Sequence, residues 1–459
     1  MSGILEALAL RLPHPLRTLA ATYKSHQLDR IRRHGDRAAL QAQVDFAVYR
    51  QMSRAALDQE QARRLAALLD HARQHIPFYR ETYAPTGWQG ESALAVLAKL
   101  PLLSKPQVRA AGEALLDERH RKTPHYVGHT SGSTGSPLNF HWSYQTLRTR
   151  FAMRDAFYQW HGVDFDHECN IRIGGRLFAP VSQKRPPFWL YDRATRQLMF
   201  SIYHMSDTTL AHYTAPIQRW QPTFVTGYPS GIYTLARYCQ ESGFVFRPKA
   251  VFTDSETVLD HQRALMEAAW GCPVVDYLGM EGGWIAQQCR AGRYHTPLLT
   301  AVVEIVDEAG QPTAPGEIGE IVVTDLTNDL MPLLRYRTGD SASWSADGCE
   351  CGWNTPVLQN IEGRLDDFVT LPNGRKVGRL DHIFKNASGI RECQIVQESP
   401  AHFVFRLVPS ADYSEAVERR LRQEAHARLG QDIRIDIQQV PAIERTGRGK
   451  FRAVISKVS

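Results

Sequence analysis

The stretch "HTSGSTGSPLNF", residues His129 to Phe140, holds four hydroxyl side chains and two glycines between Ser131 and Ser136, with Pro137 behind them. Glycines at 132 and 135 let the backbone take positive φ and turn its N–H groups toward a ligand, and Ser131, Ser133 and Thr134 add hydroxyl donors. Such a loop suits phosphate. The same composition serves equally well as a solvated turn. No lysine follows Gly135 as it does in the common P-loop, so a cation for the phosphates has to come from elsewhere in the chain.

Around this loop, 459 residues leave room for two or three domains and a substantial core. Hydrophobic residues at 43% and charged residues at 22% are globular proportions. A net charge of +6 would suit an anionic small molecule, a membrane surface or nucleic acid. No Lys/Arg run supports nucleic acid, which is set aside as a partner. Near the N-terminus, Glu6, Arg11 and Arg17 interrupt the apolar residues before a signal or spanning segment is reached. Seven cysteines without even spacing fit reduced thiols better than a disulfide framework. Together these features imply a cytoplasmic protein.

From about Gln51 to Tyr83, Leu57, Leu65, Leu68, Leu69 and Ala72 fall at helical spacings and predict an amphipathic helix ending at Ile76-Pro77. The first hundred residues read as mainly helical. After the loop, apolar runs at Thr223 to Thr226 and Ala250 to Thr253 alternate with helical stretches, which predicts α/β layering. From Ala301 to Asp340 the pattern is of antiparallel strands joined by Gly/Pro turns. The C-terminal part, with strands "QIVQ", "HFVFRLVP" and "DIRIDIQQV" and helix "SEAVERRLRQEAHARLG", reads as a compact α+β unit beginning near "IEGRLDD".

Five segments occur in a telling order: "TSGSTGSP" from Thr130, "YLGME" from Tyr277, "YRTGD" from Tyr336, "EGRLDD" from Glu362 and "RTGRGKFR" from Arg445. This set resembles the adenylate-forming superfamily of acyl-CoA synthetases, peptide-synthetase adenylation domains and luciferases. "HARQHIPFYRETY", the linker "LPLLSKPQVR" and the short total length look like its phenylacetate-CoA ligase branch. The N-terminal helical region and "QIVQ" are most similar to the CapK-like subgroup, associated with capsular polysaccharide biosynthesis. The resemblance implies an α/β fold in which a large α/β core with a β-rich subdomain carries a small mobile α+β C-terminal domain. The implied division is a helical region at 1–105, an AMP-binding core at 106–363 and the mobile domain at 364–459.

The implied chemistry is attack of a carboxylate on the α-phosphate of ATP, giving an acyl-adenylate and pyrophosphate, followed by transfer to a thiol, most often CoA. By resemblance, Thr130, Ser131, Gly132, Ser133, Thr134 and Gly135 would hold the β- and γ-phosphates. Tyr277 would line the nucleotide site, Asp340 would accept from the two ribose hydroxyls, and Arg364 would reach ribose or phosphate. Glu281 would hold Mg²⁺, a hard cation that prefers oxygen ligands. Lys450 would supply the missing cation for the α-phosphate, and Asp366 would be the hinge about which its domain turns. One segment departs from the family pattern: Leu278 stands where glycine is expected and Met280 where threonine is, so a hydroxyl contact to the α-phosphate is lost.

Cys289 and His295, with Cys349 and Cys351 further on, offer three thiolates and an imidazole for a structural Zn²⁺. Unconnected reduced thiols are the alternative. The carboxylic acid pocket implied by the fold lies among Tyr228, Phe252, Met280 and Trp284, any of which can equally be core. Two further readings stand beside the CoA ligase. One transfers the acyl group to an amine, a sugar or a carrier protein, and the other is a non-catalytic nucleotide-binding protein. The N-terminal helices are candidates for peripheral membrane contact.

Overall fold

The computed structural model describes residues 12–33, 48–83, 91–129, 138–176, 178–180, 183, 185–280, 283–364, 369–372, 376–377, 380–384, 389–445 and 451–458. Its N-terminal part is helical, with α1 (His14–Arg33), α2 (Arg54–His75), α3 (Pro77–Tyr83), α4 (Ala93–Lys99) and α5 (Lys105–Ala111). Ser53 starts α2 by accepting from the Ala56 N–H at 3.3 Å. The buried Leu57, Gln61, Leu65, Leu68, Leu69 and Ala72 repeat at helical spacing, and Pro77 takes Ile76 out of the helix, as expected. Helix α5 opens with a capping box between Ser104 and Gln107.

Strands β1 (Tyr126–His129) and β2 (Asn139–Trp142) pair antiparallel with His129 opposite Asn139, which closes the ends of the Gly/Ser stretch. Then come α6 (Tyr144–Trp160), β3 (Asn170–Gly174), β4 (Trp189–Asp192), β5 (Gln197–Ser201), α7 (Thr214–Trp220), β6 (Phe224–Gly227), α8 (Pro229–Ser242), β7 (Val251–Thr253), α9 (Asp260–Trp270) and β8 (Val274–Met280). They lead into β9 (Gly283–Gln288), β10 (Tyr294–His295), β11 (Ala301–Val306), β12 (Gly319–Asp325), β13 (Tyr336–Trp344) and β14 (Val357–Arg364). All of these strands from β3 onward join one twelve-stranded sheet in the order β11-β12-β13-β14-β10-β9-β8-β7-β6-β3-β5-β4.

The sheet has two characters. β5, β3, β6, β7 and β8 are parallel, and every residue of β6 and β7 is buried, as strands covered on both faces must be. From the β8–β9 pair onward the strands run antiparallel. The N-terminal helices pack on this antiparallel half, where Leu65, Leu69, Leu97 and Leu103 share a core with Ile285, Ile305 and Ile321.

The C-terminal part holds β15 (Val369–Thr370), β16 (Lys376–Val377), β17 (Ile390–Ser399), β18 (His402–Pro409), α10 (Glu415–Leu429), β19 (Arg434–Gln439) and β20 (Val454–Ser456). β19-β18-β17-β20 form a separate sheet, and Leu421, Ala425 and Leu429 of α10 pack on Phe403, Phe405 and Leu407. Leu259, just before α9, is buried in this same cluster. No helix among the described residues is long and apolar enough to cross a membrane.

Candidate active site

The change from parallel to antiparallel pairing falls at β8–β9, and the C-terminal ends of parallel strands are where ligands of α/β sheets gather. Asp254 follows β7 and pairs with Arg172 of β3, whose Nη2 lies 3.1 Å from Asp254 Oδ1 while Nη1 contacts Oδ2. The Tyr277 hydroxyl donates to Asp254 Oδ2 at 3.3 Å and the Ser255 hydroxyl to Oδ1 at 2.8 Å. Burial pushes the Asp254 carboxyl up, but the Arg172 charge and these donors outweigh it and hold it below the usual range. The pair fixes Tyr277 from the phenol end. The Tyr277 ring itself stacks on Trp284 at 4.7 Å, and Phe157 meets Trp284 edge-on at 5.1 Å.

A second carboxyl, Asp276, ties three strands together. It accepts from Thr253 Oγ1 at 2.6 Å and from the Tyr294 hydroxyl at 2.7 Å, and its N–H donates to Gln288 Oε1 at 2.8 Å. Burial raises its pKa to about 6 against the pull of those donors.

Gly227, at the end of β6, takes φ 134°, and a Cβ there would sit 1.9 Å from the Ile173 carbonyl oxygen. Only glycine allows this close approach to β3, and the chain then turns into α8 with Pro229 at its first turn. Tyr228 lies half-buried at this turn, its hydroxyl pKa raised by burial and then by Asp254. Among the other residues expected to line the acid pocket, Phe252 is fully buried and packs on Tyr158 at 4.2 Å, which places its ring in the core. Met280 is buried in the large core shared with the N-terminal helices, and Trp284 is buried under Tyr277.

Asp340 stands half-buried on β13, with its backbone in register with Arg364 of β14. The register slips immediately after it, and such bulges re-aim side chains next to functional sites. Its N–H donates to Thr338 Oγ1 at 3.0 Å, and Lys105 Nζ donates to the Thr338 carbonyl at 3.0 Å. Gly339, between them, has φ 83°. Thr130, Ser131, Gly132, Ser133, Thr134, Gly135, Glu281, Asp366 and Lys450 lie outside the described residues, as does the side chain of Arg364.

The four metal-ligand candidates come together. Their donor atoms lie within 4.8 Å of one another, with Cys289 Sγ 3.6 Å from Cys349 Sγ and Cys351 Sγ 3.3 Å from His295 Nε2. A tetrahedral zinc with ordinary bond lengths would set sulfur–sulfur edges near ~3.8 Å and sulfur–nitrogen edges near ~3.6 Å. The donor set fits. Thr355 Oγ1 is hydrogen-bonded to His295 Nδ1 at 3.0 Å, which turns Nε2 to the thiols, and the Trp353 N–H donates to Cys351 Sγ at 3.5 Å.

Sequence reading missed Arg172, Asp254, Asp276 and Glu256. Glu256 accepts from the Ser230 N–H at 3.1 Å and, across from the C-terminal part, from the Phe451 N–H at 2.7 Å. The apolar run Ala250 to Thr253 marked a strand but not which of the carboxylates after it does what, and nothing in the sequence links Arg172 to a partner on another strand.

A family model described as the CapK C-terminal domain matches residues 369–457. Protein CapK of Staphylococcus aureus is 27% identical, over 87% of this chain and 89% of that protein. The phenylacetate-coenzyme A ligase of Aromatoleum evansii is 23% identical, over 86% and 93%. Among solved structures, 2-hydroxyisobutyryl-CoA ligase in its postadenylation state superposes with a TM-score of 0.71 at 21% identity, covering 88% of this chain and 90% of that one. In its thioesterification state the TM-score is 0.56 at 22% identity, over 89% and 91%. These structural likenesses are likenesses of fold.

Proposed function

Because the chain belongs to the adenylate-forming superfamily, in its phenylacetate-CoA ligase-like branch and CapK-like subgroup, and is an adenylate-forming ligase, we propose that it activates a carboxylic acid with ATP and passes the acyl group to CoA. One observation carries this reading. β8 carries Tyr277 to Met280, while β13 sets Asp340 in register with Arg364, so the described parts of three of the five motif segments lie on strands of one sheet.

In this reading the acid's carboxylate attacks the α-phosphate, the bond to the β-phosphate breaks, and pyrophosphate leaves. Asp340 accepts from the ribose hydroxyls, Arg364 approaches ribose or phosphate, and the loop from Thr130 to Gly135 donates to the β- and γ-phosphates. Glu281 holds the Mg²⁺ that supplies charge neutralisation at the phosphates. Tyr277 is braced for the nucleotide by Asp254 and Trp284. Leu278 packs against the large core and Met280 is buried in it, so neither position offers a hydroxyl to the α-phosphate, where Lys450 supplies the side-chain cation.

The residues 364–459 form the mobile unit, turning about Asp366 between adenylation and thioester formation, against the helical region 1–105 and the core 106–363. The higher TM-score against the postadenylation state supports reading the present arrangement as the adenylating one. Cys289, His295, Cys349 and Cys351 hold a structural Zn²⁺ whose four protein ligands leave no open position for catalysis. Seven cysteines with no disulfide among them suit the cytoplasm.

Pyrophosphate release from ATP, measured across a panel of carboxylic acids with CoA, without CoA and with hydroxylamine, tests the proposal. Release that rises with CoA for one class of acid supports it. Release seen only with hydroxylamine would move the acceptor to an amine, a sugar or a carrier protein.

A further inference from the structure

Helix α1 is docked by its polar side. The buried Arg17 guanidinium donates to the Phe178 carbonyl at 2.6 Å, the His14 ring donates to the Trp189 carbonyl at 2.8 Å, and the Arg193 N–H donates to Thr22 Oγ1 at 3.3 Å. Ala21 packs on the small cluster of Phe178, Leu190 and Met199. These contacts seat the helix on β4, the edge strand of the large sheet.

The first half of its outer side is apolar. Leu16, Leu19 and Tyr23 are 48%, 62% and 66% exposed, at the spacing i, i+3, i+7 that stacks side chains along one stripe, and Leu12, just before the helix, is 39% exposed. Three of the nine large hydrophobic residues exposed among the described residues therefore sit on this one stripe, with a fourth, Leu12, just before it. Folding of the chain does not explain it, since an ordinary surface helix turns leucine inward and arginine outward. Here Arg17 is inside and Leu19 outside.

Charge selects the occupant. The helix carries Arg17, Lys24, Arg30, Arg32 and Arg33 against a single acid, Asp29, and Lys24 and Arg30 are exposed toward the end that the apolar stripe leads into. An apolar stripe beside exposed cations, with no exposed acid on the helix, matches an anionic bilayer surface: hydrocarbon below, phosphate alongside. We propose that this face of α1 lies in the plane of an anionic lipid surface and holds the protein there peripherally.

The test is sedimentation of the full chain with vesicles of phosphatidylglycerol and phosphatidylcholine, beside vesicles of phosphatidylcholine alone. Binding to the anionic vesicles should fall at least about tenfold in the triple variant Leu16→Ser, Leu19→Ser, Tyr23→Ser, and again in Lys24→Gln, Arg30→Gln. Unchanged thermal melting of each variant shows that the fold is intact, as expected for exposed positions. Failure of the wild-type chain to bind, or equal binding to both kinds of vesicle, overturns the proposal. So does a wild-type dimer in light scattering that the triple variant converts to monomer without any vesicle binding, because a second copy then covers the stripe.

Discussion

The carboxylate of Glu256 accepts the backbone N–H of Phe451 at 2.7 Å, and Phe451 directly follows Lys450 in the chain. The same carboxylate accepts from Ser230 at the start of α8, so it joins the pocket turn to the segment that carries the lysine. Burial raises its pKa even though both amides favour the anion. Glu256→Gln replaces one acceptor oxygen with a donor and must lose one of these bonds. A hydrogen bond to a charged group is worth about 1.5 to 3 kcal/mol, so adenylation should slow by roughly tenfold to a hundredfold. Thioester formation from supplied acyl-adenylate should be unaffected, since the proposed turn about Asp366 takes the lysine segment away from Glu256 in that step. Equal loss of both half-reactions would show that Glu256 serves only the fold.

Arg172 and Asp254 should behave as a unit. Arg172→Ala leaves a buried carboxylate without its cation, which typically costs about 3 to 5 kcal/mol. Denaturant midpoints should show a large loss for that variant and a smaller one for the double variant Arg172→Ala, Asp254→Ala. Additive losses would contradict the coupling.

The parts legible in the sequence were those that local pattern or motif carries. Leu57 to Ala72 repeat at helical spacing and Pro77 ends the helix, so α2 was readable to within a few residues. The strands expected from Thr223 and Ala250 begin one residue later, within the play of any boundary. The convergence of Cys289, His295, Cys349 and Cys351 was legible because thiols and imidazole are scarce and chemically matched. The Arg172–Asp254 and Glu256–Phe451 contacts were not, because each joins common residue types on separate elements that only the sheet topology brings together. The inverted α1 was illegible for a related reason: its periodicity shows a stripe but not which side the sheet covers.

Zinc should accompany the protein when it is purified without a histidine tag, at about one equivalent by metal analysis. Cys351→Ser should lose the metal and lower the melting temperature, since a structural zinc site contributes directly to folding. Less than about one-third of an equivalent in the wild-type protein would count against the site.

His161, at the end of α6, donates from Nε2 to the Gln288 carbonyl at 3.2 Å and meets Phe157 edge-on at 4.9 Å. Burial lowers its pKa to about 4, with Gln288 opposing and Arg290 assisting. The folded pKa is therefore below the unfolded one, and the unfolded chain binds more protons between them. Stability is whole above about pH 6.5 and declines as pH falls through about 4, by no more than about 3 kcal/mol from this group. Denaturation midpoints compared between the wild type and His161→Gln over that range should diverge on acidification, the wild type losing more. Parallel curves would contradict the assignment.

If this chain makes an acyl-adenylate with Lys450 at the α-phosphate, acid-dependent exchange of labelled pyrophosphate into ATP depends on that lysine. The wild-type protein should show exchange with at least one class of carboxylic acid, and Lys450→Ala should reduce it about a hundredfold to a thousandfold, as loss of one preorganised charge does. No exchange with any acid, in protein shown to bind ATP, or full exchange in Lys450→Ala, would contradict the account.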